Sequence, residues 1–137
     1  EQIQLGIGTM NKIKEKNNDN NGLYENVKSK KLYSFVKDNE IGNIDFIKID
    51  IEGSEKNLLD DLLGLEISSI QVELINYNSI KQNVSFLKAF SKKYNFYDIN
   101  NKNKIEAVNV EKYVQDIFKS ANTLDVFLVS KKIDINL

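Results

Sequence analysis

The sequence contains no cysteine, no histidine and no proline in 137 residues. Without thiols and imidazoles it has no thiolate nucleophile, no Ser-His-Asp relay and no zinc site of the usual nitrogen and sulfur type. Any acid-base work falls to carboxylates, lysines or tyrosines. No apolar run approaches the length of a membrane span, and the opening residues lack the pattern of a signal peptide. A formal net charge of −1 gives no global field to draw in nucleic acid or an anionic membrane, although it leaves local basic patches open. These absences predict a soluble, cytoplasmic protein with no nucleic-acid and no membrane partner. The missing cysteines are compatible with a reducing compartment.

What is present is ordinary for a globular protein: 41% hydrophobic and 28% charged residues, enough for a single domain over 1–137 with one sizeable core. Asparagine and lysine are abundant, which reads as a compositional bias more than a structural demand. The chain opens on Glu1 instead of methionine, as expected of a piece of a longer product.

The most informative stretch is Ile44-Asp45-Phe46-Ile47-Lys48-Ile49-Asp50-Ile51-Glu52-Gly53-Ser54-Glu55. Its β-branched and aromatic run predicts a strand buried on both faces, as in the middle of a parallel sheet. The strand ends in carboxylates. Gly53 then permits a turn, and Gly53 or Ser54 suits the cap of a helix over about 54–63, with Leu58, Leu59, Leu62 and Leu63 as its apolar positions. Gly64 marks its end. Ile67 to Ile75 alternate as a second strand with Glu73 near its carboxyl end. If the two strands are parallel neighbours, Asp50, Glu52 and Glu73 open onto one crevice, where α/β sheets hold their ligands.

This series, a hydrophobic strand carrying K-x-D-x-E-G-x-E, a leucine-bearing helix and a second strand with Val72-Glu73, resembles the signature of FkbM-type methyltransferases. The resemblance runs from roughly residue 30 to 130 and corresponds to the C-terminal part of that family's domain. It implies an α/β fold, a Rossmann-like class I methyltransferase three-layer sandwich, here its C-terminal part, with a mostly parallel sheet whose last strand is antiparallel. It also implies S-adenosylmethionine as cofactor and transfer of a methyl group to a hydroxyl of a sugar, glycan or other metabolite. The donor is held in that family mainly by a glycine-rich first strand-turn and an acidic second strand end, neither of which the chain displays. An isolated piece of this kind is expected to be inactive, and a partner or missing N-terminal half is expected over its sheet edge. A non-catalytic scaffold or interaction module of the same ancestry is the alternative.

Within this frame Asp50 is the leading proton acceptor, near the methionine end of the donor, with Glu52 and Glu55 next. Asp50, Ile51 and Glu52 are the positions the resemblance assigns to cofactor contact. Glu55 also suits the first turn of a helix for its dipole alone. Lys48, inside a buried strand, is expected to pair with Asp50, Glu52 or Glu73, either as a structural ion pair or to orient the catalytic carboxylate. Glu73 carries the same two readings. No metal site is expected, since D-x-E-G-x-E lacks the EF-hand spacing.

Elsewhere, residues 1–10 alternate as an edge strand. Gly6 and Gly8 are followed by a polar loop at 11–22 and not by the helix a nucleotide-binding loop needs. A short strand is predicted at 24–28 and a short helix from Lys31, ending at 39–43. Ser79–Tyr94 reads as an amphipathic helix, Asn95–Ile99 as a strand, and Asn100–Lys104 as a loop. Residues 110–119 read as a helix, 124–129 as the last strand, and 131–137 as a frayed tail. Tyr94, Phe96, Tyr97, Tyr113 and Phe118 are expected to pack, since they are not interleaved with basic residues as a base-stacking surface requires.

Overall fold

A computed structural model describes residues 30–51, 55–76 and 79–133. The strands expected at 1–10 and 24–28, the loop at 11–22, the Gly53-Ser54 cap and most of the tail lie outside the described residues.

The chain runs through α1 (Leu32–Asp38), β1 (Ile44–Ile49), a 3₁₀ turn (Glu55–Leu58) leading into α2 (Leu59–Leu63), and β2 (Ile67–Ile75). It continues through α3 (Ile80–Phe90), β3 (Tyr94–Asp98), β4 (Asn103–Ile105), a second 3₁₀ turn (Ala107–Asn109), α4 (Val110–Ile117) and β5 (Thr123–Ser130). The five strands form one sheet in the order β1-β2-β5-β3-β4. Only β1 and β2 pair in parallel, whereas β5 is antiparallel to both β2 and β3, and β4 is antiparallel to β3. The sheet is therefore mixed. The last strand is antiparallel as expected, and it is inserted between β2 and β3. The pairings make β1, β2 and β3 run in the same direction, so their carboxyl ends share one rim.

One face of this sheet builds the core. Ile70, Val72 and Leu74 of β2 pair in register with Leu128, Val126 and Leu124 of β5, and all six are at most 1% exposed. Strand alternation puts them on one face. Against them pack Leu32 and Val36 of α1, Leu62 of α2, Val84, Leu87 and Phe90 of α3, and Val110 and Val114 of α4. Among the described residues the helices thus cover one face, giving two of the three expected layers. The other face carries Phe46, Lys48, Ser69, Gln71, Glu73, Asp125 and Phe127 by the same alternation and register.

This arrangement corrects the reading of β1. Among the described residues it is an edge strand, paired only with β2, and its second face is open: Phe46 is 50% exposed. A run of β-branched and aromatic residues reports high strand propensity, and that does not distinguish a central strand from an edge one.

Local chemistry explains the element ends. The Ser79 hydroxyl caps α3 by accepting from the Gln82 backbone N–H at 3.2 Å. The helix stops at Phe90, short of Tyr94, although Tyr94 continues its apolar stripe. Tyr94 instead begins β3, edge-on to Phe90 with ring centroids 5.6 Å apart, and its hydroxyl donates to the Ile67 carbonyl at 2.9 Å. Burying that hydroxyl requires the partner that the strand position supplies. At the end of α2, a Cβ on Gly64 would lie 3.2 Å from the Tyr33 ring, so glycine lets α1 approach closely. The segment expected as one helix over 54–63 is a 3₁₀ turn followed by a short α-helix. Short β4, within and just beyond the loop expected at 100–104, was not anticipated; its polar Asn103-Lys104 gives little strand signal.

Candidate functional site

The carboxyl end of β1 carries Lys48 and Asp50, whose Nζ and Oδ2 atoms are 3.4 Å apart, with the side chains 57% and 43% exposed. The expected buried lysine is therefore a solvated one. Its face of the edge strand is not covered by the helices, so the pair contributes little to stability.

Register brings the neighbouring strand to the same place. Lys48 pairs with Gln71 and Ile49 with Val72, so the next step sets Asp50 beside Glu73. Glu73 in turn stands opposite Asp125 of β5. Alternation puts Lys48, Asp50, Glu73 and Asp125 on the open face at one rim. With strands about 4.8 Å apart, the three carboxylate positions span roughly 10 Å. They fan out along the rim: among the described residues no three acidic groups converge closely enough to hold a metal ion. Asp125 was missed from the sequence because Leu124-Asp125-Val126 shows only a polar position in a strand. Its neighbours follow from β5 inserting beside β2.

The other sequence candidates are placed differently. Glu52 lies outside the described residues. Ile51 is half-buried and packs against the helix-side core. Glu55 opens the 3₁₀ turn and is only 3% exposed, so it is buried where Asp50 is solvated.

A further carboxylate at this end has a structural task. Asp98, at the end of β3, is 1% exposed. It accepts hydrogen bonds from the Asn101 backbone N–H at 2.9 Å, from the Asn101 side-chain amide at 2.8 Å and from the Tyr113 hydroxyl at 2.7 Å. Burial pushes its pKa up, but these hydrogen bonds outweigh burial and hold the carboxyl below its ordinary value. Burial and the Asp98 carboxylate together push the Tyr113 hydroxyl up to about 12. The network fastens the β3–β4 turn to α4. Tyr113, expected to pack, is half-buried and also serves as this fastener.

Chemically, the rim offers carboxylate acceptors beside Lys48. Such groups can take a proton from a hydroxyl or hold a cationic group. In a comparison with protein families the chain matches the methyltransferase FkbM domain over residues 4–99. The chain belongs to the FkbM methyltransferase domain family. The match takes in Lys48, Asp50, Glu52 and Glu73. It starts well before the residue near 30 where the sequence resemblance begins, and it ends at 99, short of 130. Tyr113 and Asp125 lie beyond the matched part of the FkbM domain. Comparison with curated proteins and with solved structures found no match.

Proposed function

We propose that this FkbM domain transfers a methyl group from S-adenosylmethionine to a hydroxyl oxygen of a sugar, glycan or other metabolite, with Asp50 accepting the hydroxyl proton. The observation that carries the reading is the carboxylate-lined rim at the shared ends of β1 and β2, within the segment that matches the family. The donor set suits the cofactor's cationic methionine end: Asp50 and Glu73 are carboxylates, and Asp50 is accessible to solvent. Glu52 joins them by resemblance. When bound, the cofactor supplies a methyl group on a sulfonium centre.

The chain's own residues would orient the acceptor and manage its proton. A hydroxyl held against Asp50 becomes more nucleophilic as its proton moves toward the carboxylate oxygen. Lys48, whose Nζ lies 3.4 Å from Asp50 Oδ2, is placed to help orient that oxygen. Glu73 in the neighbouring strand provides a second acceptor for the same substrate.

Donor binding is tested by calorimetric titration of S-adenosylmethionine. Micromolar binding would support a usable pocket in this chain, and no heat at millimolar cofactor would favour the alternative, a non-catalytic module of the same ancestry. That alternative draws on Gly6 and Gly8 being followed by a polar run instead of a helical pattern. In an active form, Asp50→Ala should lower turnover by about two orders of magnitude. Unchanged turnover removes Asp50 from the role.

A further inference from the structure

The opposite end of the strands gathers charge of the other sign. Lys92 and Lys93 close the turn after α3, while Lys131 and Lys132 follow β5. Tyr94 pairs with Ser130, and the Lys131 backbone N–H donates to the Lys93 carbonyl at 2.9 Å, so two dipeptides far apart in sequence lie side by side. All four lysines are exposed. The Lys93 ammonium donates to the Leu63 carbonyl at 3.1 Å and that of Lys131 to the Ser91 carbonyl at 2.8 Å. These carbonyls, at the ends of α2 and α3, orient the cations without cancelling their charge. Lys132 pairs with Glu66 at 3.1 Å, an exposed contact with side chains 81% and 67% accessible. Four cations set against Glu66 leave an excess of three. Ile133, directly after Lys132, is 38% exposed.

We propose that this end of the molecule, formed by Lys92, Lys93, Lys131, Lys132 and Ile133, docks on an anionic lipid surface. The near-zero net charge conceals a local excess of positive charge at this end of the strands, opposite the rim that carries Asp50, Glu73 and Asp125. Nine-residue β2 sets the two ends apart by about 30 Å. A negatively charged bilayer attracts this excess and so holds the chain by this end. An apolar side chain beside the cations suits insertion at the headgroup boundary. Nucleic acid fits less well, because stacking needs exposed aromatic rings among the cations, whereas adjacent Tyr94 is 4% exposed with its hydroxyl committed to Ile67. The carboxylate rim then faces away from the bilayer. Docking does not depend on what that rim does.

The test is sedimentation of the full chain with neutral phosphatidylcholine vesicles and with vesicles carrying about 30% phosphatidylglycerol, at low salt. Each uncompensated lysine contributes about five-fold, so a preference for the anionic vesicles on the order of a hundred-fold is expected. Raising salt to about 0.5 M should remove most of it. Lys92→Gln with Lys131→Gln should lower the preference about 25-fold, and Glu66→Gln should raise it about five-fold, with thermal melts confirming that each variant is folded. Equal partition onto neutral and anionic vesicles would overturn the proposal, as would a Glu66→Gln variant that binds no tighter. Stronger retention by a single-stranded oligonucleotide than by anionic vesicles at matched salt would also overturn it.

Discussion

The two faces of the sheet have the same backbone and nearly opposite contents. On the helix side, Ile70, Val72, Leu74, Leu124, Val126 and Leu128 are almost wholly buried. On the other, the same strands present Gln71, Glu73, Asp125 and Phe127, all half-buried, with Phe46 and Lys48 exposed on β1. One face supplies cohesion and the other leaves room for chemistry. The comparison shows why the carboxylates occur where they do: they alternate with the core residues of the same strands, so a rigid core fixes their spacing.

The largest expected effect sets one phenylalanine against another. Phe90 is fully buried, and Phe90→Ala should cost about 3–5 kcal/mol in chemical denaturation. Phe46 is half exposed and has one ring neighbour, Phe127, at 6.3 Å, so Phe46→Ala should cost about 1 kcal/mol. Equal losses would mean that the open face is as tightly packed as the covered one.

The next effect concerns the fastener between the β3–β4 turn and α4. Tyr113→Phe removes a hydrogen bond to the buried Asp98 carboxylate and should cost about 2 kcal/mol. It should also change the pH profile at both ends. The Asp98 pKa is depressed in the fold, so its contribution is present above the unfolded carboxyl value and is lost as pH falls through the folded one. Tyr113 is raised to about 12, so its contribution is full below the ordinary tyrosine value and disappears as pH climbs from there toward about 12. Melting temperatures of both proteins across acid and alkaline pH would check this, and parallel profiles would contradict it.

The smallest effect is at Lys102, which occupies φ 55° in the β3–β4 turn. Lys102→Gly relieves left-handed strain and should raise stability by about 1 kcal/mol or less, measured as a shift in the denaturation midpoint. A loss would show that the lysine side chain contributes more than its backbone costs.

How much of this was legible beforehand follows from which signals are local. The β2 alternation, the apolar stripe of α3 and the acidic end of β1 are all written within a few residues, and the structure contains those elements, with α3 stopping at Phe90 instead of Tyr94. Sheet position is not local. Nothing in Ile44–Ile49 says that the strand lies at an edge of the described sheet, so Lys48 was expected to be buried and is solvated. Asp125 could not be placed beside Glu73 without the insertion of β5. Tyr94 was assigned to the wrong element because four-residue spacing from Phe90 fits a helix, and the carbonyl of Ile67 that receives its hydroxyl is distant in sequence.

The strand order also bears on how the chain reaches this form. Thr123–Ser130, the last described strand to leave the ribosome, occupies the middle of the sheet. Until it emerges, β1 with β2 and β3 with β4 are separate ribbons, each with a bare inner margin able to recruit another chain. Cooperative closure waits on a contact between distant parts of the polypeptide, which slows it, so truncation ahead of Thr123 should yield aggregating halves in place of a smaller folded domain.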